Sequence, residues 1–156
     1  MSIELRLLAI DNDFQEYITP LALQLASERL KAEGIIWSST NCRQSHVREF
    51  LSKGFYHALL LDNDFGEGTK TLIYVKNGRQ IPLVYVSAYD LIGLKEQHSE
   101  IGGAPVVDNN LNPVDGITIV RKPGHFVGKD VSLNSLVHGL YSFLKSSSEQ
   151  YQLIHS

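Results

Sequence analysis

Five short apolar runs set the terms for this chain. They are Arg6–Ile10 (RLLAI), Ile35–Trp37 (IIW), Ala58–Leu61 (ALLL), Ile81–Val86 (IPLVYV) and Gly116–Val120 (GITIV). Each is brief and nearly free of polar residues, which suits a strand covered on both faces. The segments between them carry a helical period instead. Thr19-Pro20 reads as a cap with proline at the first helical position, and Leu23, Ala26 and Leu30 share one face of the helix that follows, up to Gly34. Ser45–Lys53 places Val47, Phe50 and Leu51 on one side, and Thr69–Val75 is a short helix closed by Asn77-Gly78. Asp90 caps a helix to about Glu100. Ser132 caps the last helix, where Leu133, Leu136, Val137, Leu140 and Leu144 form a stripe. Strand then helix, five times over, predicts a single-domain α/β fold: a doubly wound, five-stranded parallel sheet with helices on both faces. Residues 102–115 are turn-rich and read as a long loop. The domain is expected to span 1–146, with 147–156 as a C-terminal tail or linker.

Composition narrows the function classes. The chain has 156 residues, enough for one domain with a sizeable core. Net charge is −3 and the 14 basic residues are scattered, so no basic stripe points to nucleic acid. No apolar run approaches the roughly 20 residues that span a bilayer, so no membrane association is expected. The opening MSIELRLLAIDND carries Glu4 and Arg6 and ends in acids, and reads as a strand rather than a signal peptide. Cys42 stands alone, which excludes a disulfide framework and a thiolate cluster and fits a cytoplasmic setting. No two of the six histidines share the i, i+4 spacing of a helical zinc pair. Gly102-Gly103 is not followed by the Lys-Ser/Thr of a phosphate loop.

In open parallel sheets the ligand site lies beyond the carboxyl ends of the strands, so the residues found there matter most. The first strand ends in Asp11-Asn12-Asp13, the third in Asp62-Asn63-Asp64, the fourth in Ser87 and the fifth in Lys122-Pro123. Read alone, Asp62-Asn63-Asp64 is as easily a surface turn. Together the four ends bring acids, a hydroxyl and an ammonium group to one edge. Clustered carboxylates repel unless a cation joins them, and hard oxygen ligands suit Mg²⁺. An Asp beside Mg²⁺ can accept a phosphoryl group, whose oxygens then need a hydroxyl donor and a fixed positive charge.

The set resembles the receiver domain of bacterial two-component response regulators, over roughly Leu5 to Lys145. The matching motifs are LLAIDND (Leu7–Asp13), ALLLDND with Asp62, VYVSA with Ser87-Ala88, and IVRKP with Lys122-Pro123. The resemblance implies a flavodoxin-like strand order 2-1-3-4-5. It implies that Asp62 accepts a phosphoryl group from a histidine kinase or phosphotransfer protein. Asp11 and Asn12, with Asp62 and the backbone carbonyl of Asp64, would hold Mg²⁺. Ser87 would bond the phosphoryl oxygen, and Lys122 would pair with it across a cis bond to Pro123. Output would pass to a downstream protein or an output domain of its own, and a helix-face homodimer fits the class. Two positions depart from the family. Asn12 is neutral where a carboxylate is usual, and Ile119 stands where the family has its switch aromatic.

Two other readings remain open. LLAIDND also resembles the first motif of the haloacid dehalogenase superfamily, with Asp11 as nucleophile, Asp13 as general acid/base and Ser38–Thr40 as a second motif. A non-phosphorylated pseudo-receiver on the same fold is the third.

Overall fold

The computed structural model describes residues 3–11, 17–63, 68–76 and 80–155. Five strands run in parallel: β1 (Ile3–Ile10), β2 (Ile35–Cys42), β3 (Ala58–Asp62), β4 (Leu83–Ser87) and β5 (Ile117–Arg121), in the order β2-β1-β3-β4-β5. They alternate with helices α1 (Ile18–Lys31), α2 (Val47–Lys53), α3 (Gly68–Lys76), α4 (Leu91–Ile101) and α5 (Leu133–His155). A short 3-10 turn, Gln44–His46, leads into α2.

Successive strand residues point to opposite faces, so one apolar run feeds two cores. Leu5, Leu7, Ala9, Leu60, Val84, Val86 and Val120 pack against α1 and α5. Leu8, Ile10, Leu59, Leu61, Leu83, Tyr85 and Ile117 pack against α2, α3 and α4. That two-sided burial is why these strands lack the apolar-polar alternation of a half-exposed sheet.

Three elements differ from the sequence reading. Strand β2 runs on through Ser38, Ser39, Thr40 and Asn41, because it is an edge strand that pairs with β1 along its whole length. Its ladder bonds need no apolar side chains. Helix α1 begins at Ile18, so Pro20 sits inside the first turn, where the missing N–H costs nothing. Most consequential, the segment expected as a tail from 147 is helix: α5 continues to His155. Ser147 and Ser148 are buried, and their hydroxyls donate to the carbonyls of Phe143 (2.8 Å) and Lys145 (2.7 Å). Serines that would favour a frayed end are thereby absorbed into the helix. The expected boundary at 146 falls mid-helix.

The far end of α5 is held by an aromatic stack. The His57 ring meets Phe55 edge-on (5.0 Å between centroids) and Tyr151 edge-on (4.7 Å), and Tyr151 in turn meets His155 (4.2 Å). His57 Nδ1 accepts the backbone N–H of Arg6 at 2.9 Å, so that nitrogen must be unprotonated. Burial holds the His57 pKa below its usual value, with the charges of Arg6 and His155 acting the same way. A histidine whose folded pKa is lowered stabilises the fold above its unfolded value, near 6.5, and loses that contribution as pH falls. Stability is therefore expected to drop between pH 7 and 5, with faster exchange of the Arg6 amide. In His57→Asn the drop should be shallower; an equal drop would show that other groups set it.

Candidate functional site

The carboxyl edge of the sheet gathers residues from three strands. Asp62 is the last residue of β3 and Ser87 the last of β4, and both are fully buried. Lys122 follows β5 directly and is 6% exposed. Its ammonium donates to Asp62 Oδ1 at 2.5 Å, closing an ion pair across strands that are not neighbours. Strand alternation accounts for the meeting. Asp62 continues the parity of Leu60, and Lys122 that of Val120, so both lean toward the α1/α5 layer.

Asp11 follows β1 and is half-buried, its N–H bonded to the Cys42 carbonyl at 3.0 Å. Ile10 is in register with Leu61, so one further step brings Asp11 alongside Asp62. Neighbouring strands lie about 4.8 Å apart, which puts two carboxylate-bearing residues within reach of one cation. Asn12 and Asp64, the other residues assigned to the metal, lie outside the described residues, as does Asp13. Among the described residues no group of three or more His, Cys, Asp or Glu could hold a metal ion. The oxygen donors that are described fit a hard divalent cation, as a pair rather than a full set.

Ser87 bonds through its Oγ to Asn63 and Tyr89. It continues the parity of Tyr85 and faces the α2–α4 layer, where Asn63 meets it. Asn63 is buried, and its N–H donates to the Val86 carbonyl at 2.8 Å, pinning it to β4. Its Oδ1 accepts the Gly68 N–H (3.1 Å) at the start of α3. Its Nδ2 donates both to Ser87 Oγ (3.3 Å) and to Gln97 Oε1 (3.0 Å) on α4. Ser87 Oγ also accepts the Tyr89 N–H at 3.2 Å. Asn63 and Gln97 are the residues the sequence reading missed. A polar Gln97 three positions after Leu94, on the inward face of α4, was the available signal.

Tyr85 lies beneath this network with a fully buried ring, and its hydroxyl has no partner among the described residues. Burial pushes its pKa well up, and the Asp62 charge adds to the shift. The phenol therefore stays neutral. Gly68 is required beside it, since a Cβ there would come within 2.7 Å of the hydroxyl. Cys42, at the edge-strand end, is equally inert, its thiol pushed up to about 11 by burial.

Two expectations resolve differently, at Lys122–Pro123 and at Ser38–Thr40, while Ile119 stands as expected. The Lys122–Pro123 bond is trans, not cis. Ile119 is on β5, half-buried against the α2–α4 core, and offers no ring to rotate. Ser38–Thr40 pair with Arg6–Leu8, well before the strand ends, and so stand away from Asp11.

Five parallel strands in the order 2-1-3-4-5 with helices on both faces make this a flavodoxin-like fold, with an acid–lysine pair at the carboxyl edge of its sheet. The sequence matches no family model and no curated protein. Among solved structures it is similar to a fusion chain that carries the yeast Spc42 trimeric coiled coil. That match has a TM-score of 0.54 and 12% identity, and covers 97% of this chain and 87% of that one. It also aligns with a two-component response regulator from Clostridium difficile (TM-score 0.46, 16% identity, 90% of this chain and 96% of that one). A third match is the Vibrio cholerae chemotaxis protein CheY4 (TM-score 0.47, 12% identity, 90% and 99%). Identities this low bear on the fold alone.

Proposed function

We propose that this chain is a signalling receiver that takes a phosphoryl group on Asp62 and is not an enzyme in the ordinary sense. The buried Asp62–Lys122 pair carries the reading. A lysine aimed at one carboxylate oxygen, at the carboxyl edge of the sheet, could hold a phosphoryl oxygen once that carboxylate is phosphorylated to an acyl phosphate. The donor is a phosphohistidine of a kinase or phosphotransfer protein. An Asp62 oxygen forms the new O–P bond as the donor's P–N bond breaks, and the leaving nitrogen recovers a proton from solvent. Asp11 and Asp62 would hold Mg²⁺, with Asn12 and the Asp64 carbonyl completing the set; the cation supplies charge neutralisation at the incoming phosphate. Downstream partners are proteins or an output domain of its own, with the faces of α4, β5 and α5 as the contact surface in an intracellular setting. No helix among the described residues is long and apolar enough to cross a membrane.

The full burial of Asp62 and Ser87 favours a second reading, a non-phosphorylated interaction module in which the ion pair serves the fold. One experiment separates them. With Mg²⁺ and beryllofluoride, a phosphoryl mimic, the receiver should bind with amide shifts around Asp62, Ser87 and Lys122. Asp62→Asn should abolish them while keeping the native circular dichroism. No shifts in the wild type would leave the interaction module.

A further inference from the structure

We propose that Asn63 is the coupling residue of this receiver, reporting the state of Ser87 to α4 through Gln97. The inference rests on the receiver reading and deepens it.

The strand ends divide into two buried polar groups on opposite sides of the sheet. Asp62 and Lys122 form one, and Asn63, Ser87 and Gln97 the other. Ser87 belongs to the second group, held by the Asn63 amide and the Tyr89 N–H. To donate to a phosphoryl oxygen on Asp62, Ser87 must turn toward the first. It then gives up Asn63. The Asn63 carboxamide cannot follow, because its backbone is tied to Val86 and its Oδ1 to Gly68. Its Nδ2 shares two hydrogens between Ser87 and Gln97, so a lost bond to Ser87 changes what Gln97 receives.

Gln97 is well chosen to transmit this. Helix α4 has two buried residues, Leu94 and Gln97, beside the partly buried Leu91, so one of its two buried anchors is a hydrogen bond rather than an apolar contact. A buried polar group that loses its partner keeps its desolvation penalty uncompensated, which favours redistributing a lightly anchored helix between positions. The aromatic route is closed in this chain, because Ile119 stands at that position. The polar route runs from the pocket to α4 through a single side chain instead.

The test uses the full chain, amide NMR, Mg²⁺ and beryllofluoride. In the wild type, binding should shift amides around Ser87 and along α4. In Gln97→Met, shifts around Ser87 should persist while those along α4 are lost; Gln97→Glu keeps the acceptor oxygen and should restore them. Without beryllofluoride, Ser87→Ala should move the Gln97 side-chain amide resonance. Persisting α4 shifts in Gln97→Met would overturn the relay and leave the receiver standing. So would an unmoved Gln97 resonance in Ser87→Ala. Absence of any beryllofluoride binding by the wild type would overturn both.

Discussion

Lys122→Met is expected to destabilise the protein by about 3–5 kcal/mol, the range for stripping one partner from a buried ion pair. The Asp62 and Lys122 side chains are 1% and 8% exposed, so water cannot take over from the lost ammonium. The Lys53–Glu49 pair provides the contrast. It too is short, at 2.8 Å, but its side chains are 73% and 58% exposed, and removing it should cost no more than about 0.5 kcal/mol. Distance alone therefore does not rank the two. The magnitude in Lys122→Met comes from removing the positive charge that offsets a buried carboxylate rather than from the worth of the pair. Removing both charges in Asp62→Asn with Lys122→Met should recover much of the loss, because a buried neutral amide carries a far smaller desolvation penalty than a buried uncompensated charge. Urea unfolding of the two single variants and the double variant measures this. A double variant as unstable as Lys122→Met alone would show that the loss lies in packing, not in charge.

The topology of the sheet was legible because parallel strands buried on two faces leave uninterrupted apolar runs. Strand ends are where such runs stop, so Asp62, Ser87 and Lys122 could be placed at one edge from the sequence. Their contacts were less accessible. That Asp62 meets Lys122 while Ser87 meets Asn63 depends on side-chain parity at the strand ends, which a shift of one residue in the expected bounds reverses. The Asn63–Gln97 bond spans 34 residues and depends on how α4 lies against the sheet, which no local pattern encodes. Edge strand β2 and the last turns of α5 were underread for a related reason. Ser38–Asn41 are held by ladder bonds, and Ser147-Ser148 by helix carbonyls, so polar residues there looked like turn and tail.

The Gly102-Gly103 pair, which opens the long loop after α4, should be nearly as intolerant as the ion pair, and unequally so. Both residues have positive φ, +86° and +91°. Gly102 pairs its φ with ψ −161°, a region open essentially to glycine, yet nothing lies within 4 Å of a Cβ built there. Gly102→Ala should therefore cost only the backbone strain, about 1–3 kcal/mol. At Gly103 the same strain meets a wall: a Cβ would sit 2.4 Å from the Thr69 carbonyl oxygen and 2.8 Å from the Lys70 nitrogen. Those are backbone atoms in the first turn of α3, and they cannot rotate away. The Thr69 carbonyl also accepts the Ala104 N–H (2.9 Å), and its hydroxyl donates to the Gly102 carbonyl (2.8 Å). A side chain at 103 must break this clasp between α3 and the end of α4, so Gly103→Ala should lose upwards of about 3 kcal/mol. Because α3 starts at Gly68, whose N–H is held by Asn63, the damage should reach the polar network as well. Thermal unfolding should rank Gly103→Ala well below Gly102→Ala, with hydrogen exchange in α3 and α4 accelerated only in the former. Equal midpoints would mean that backbone conformation, not the close approach to Thr69, fixes glycine at both positions.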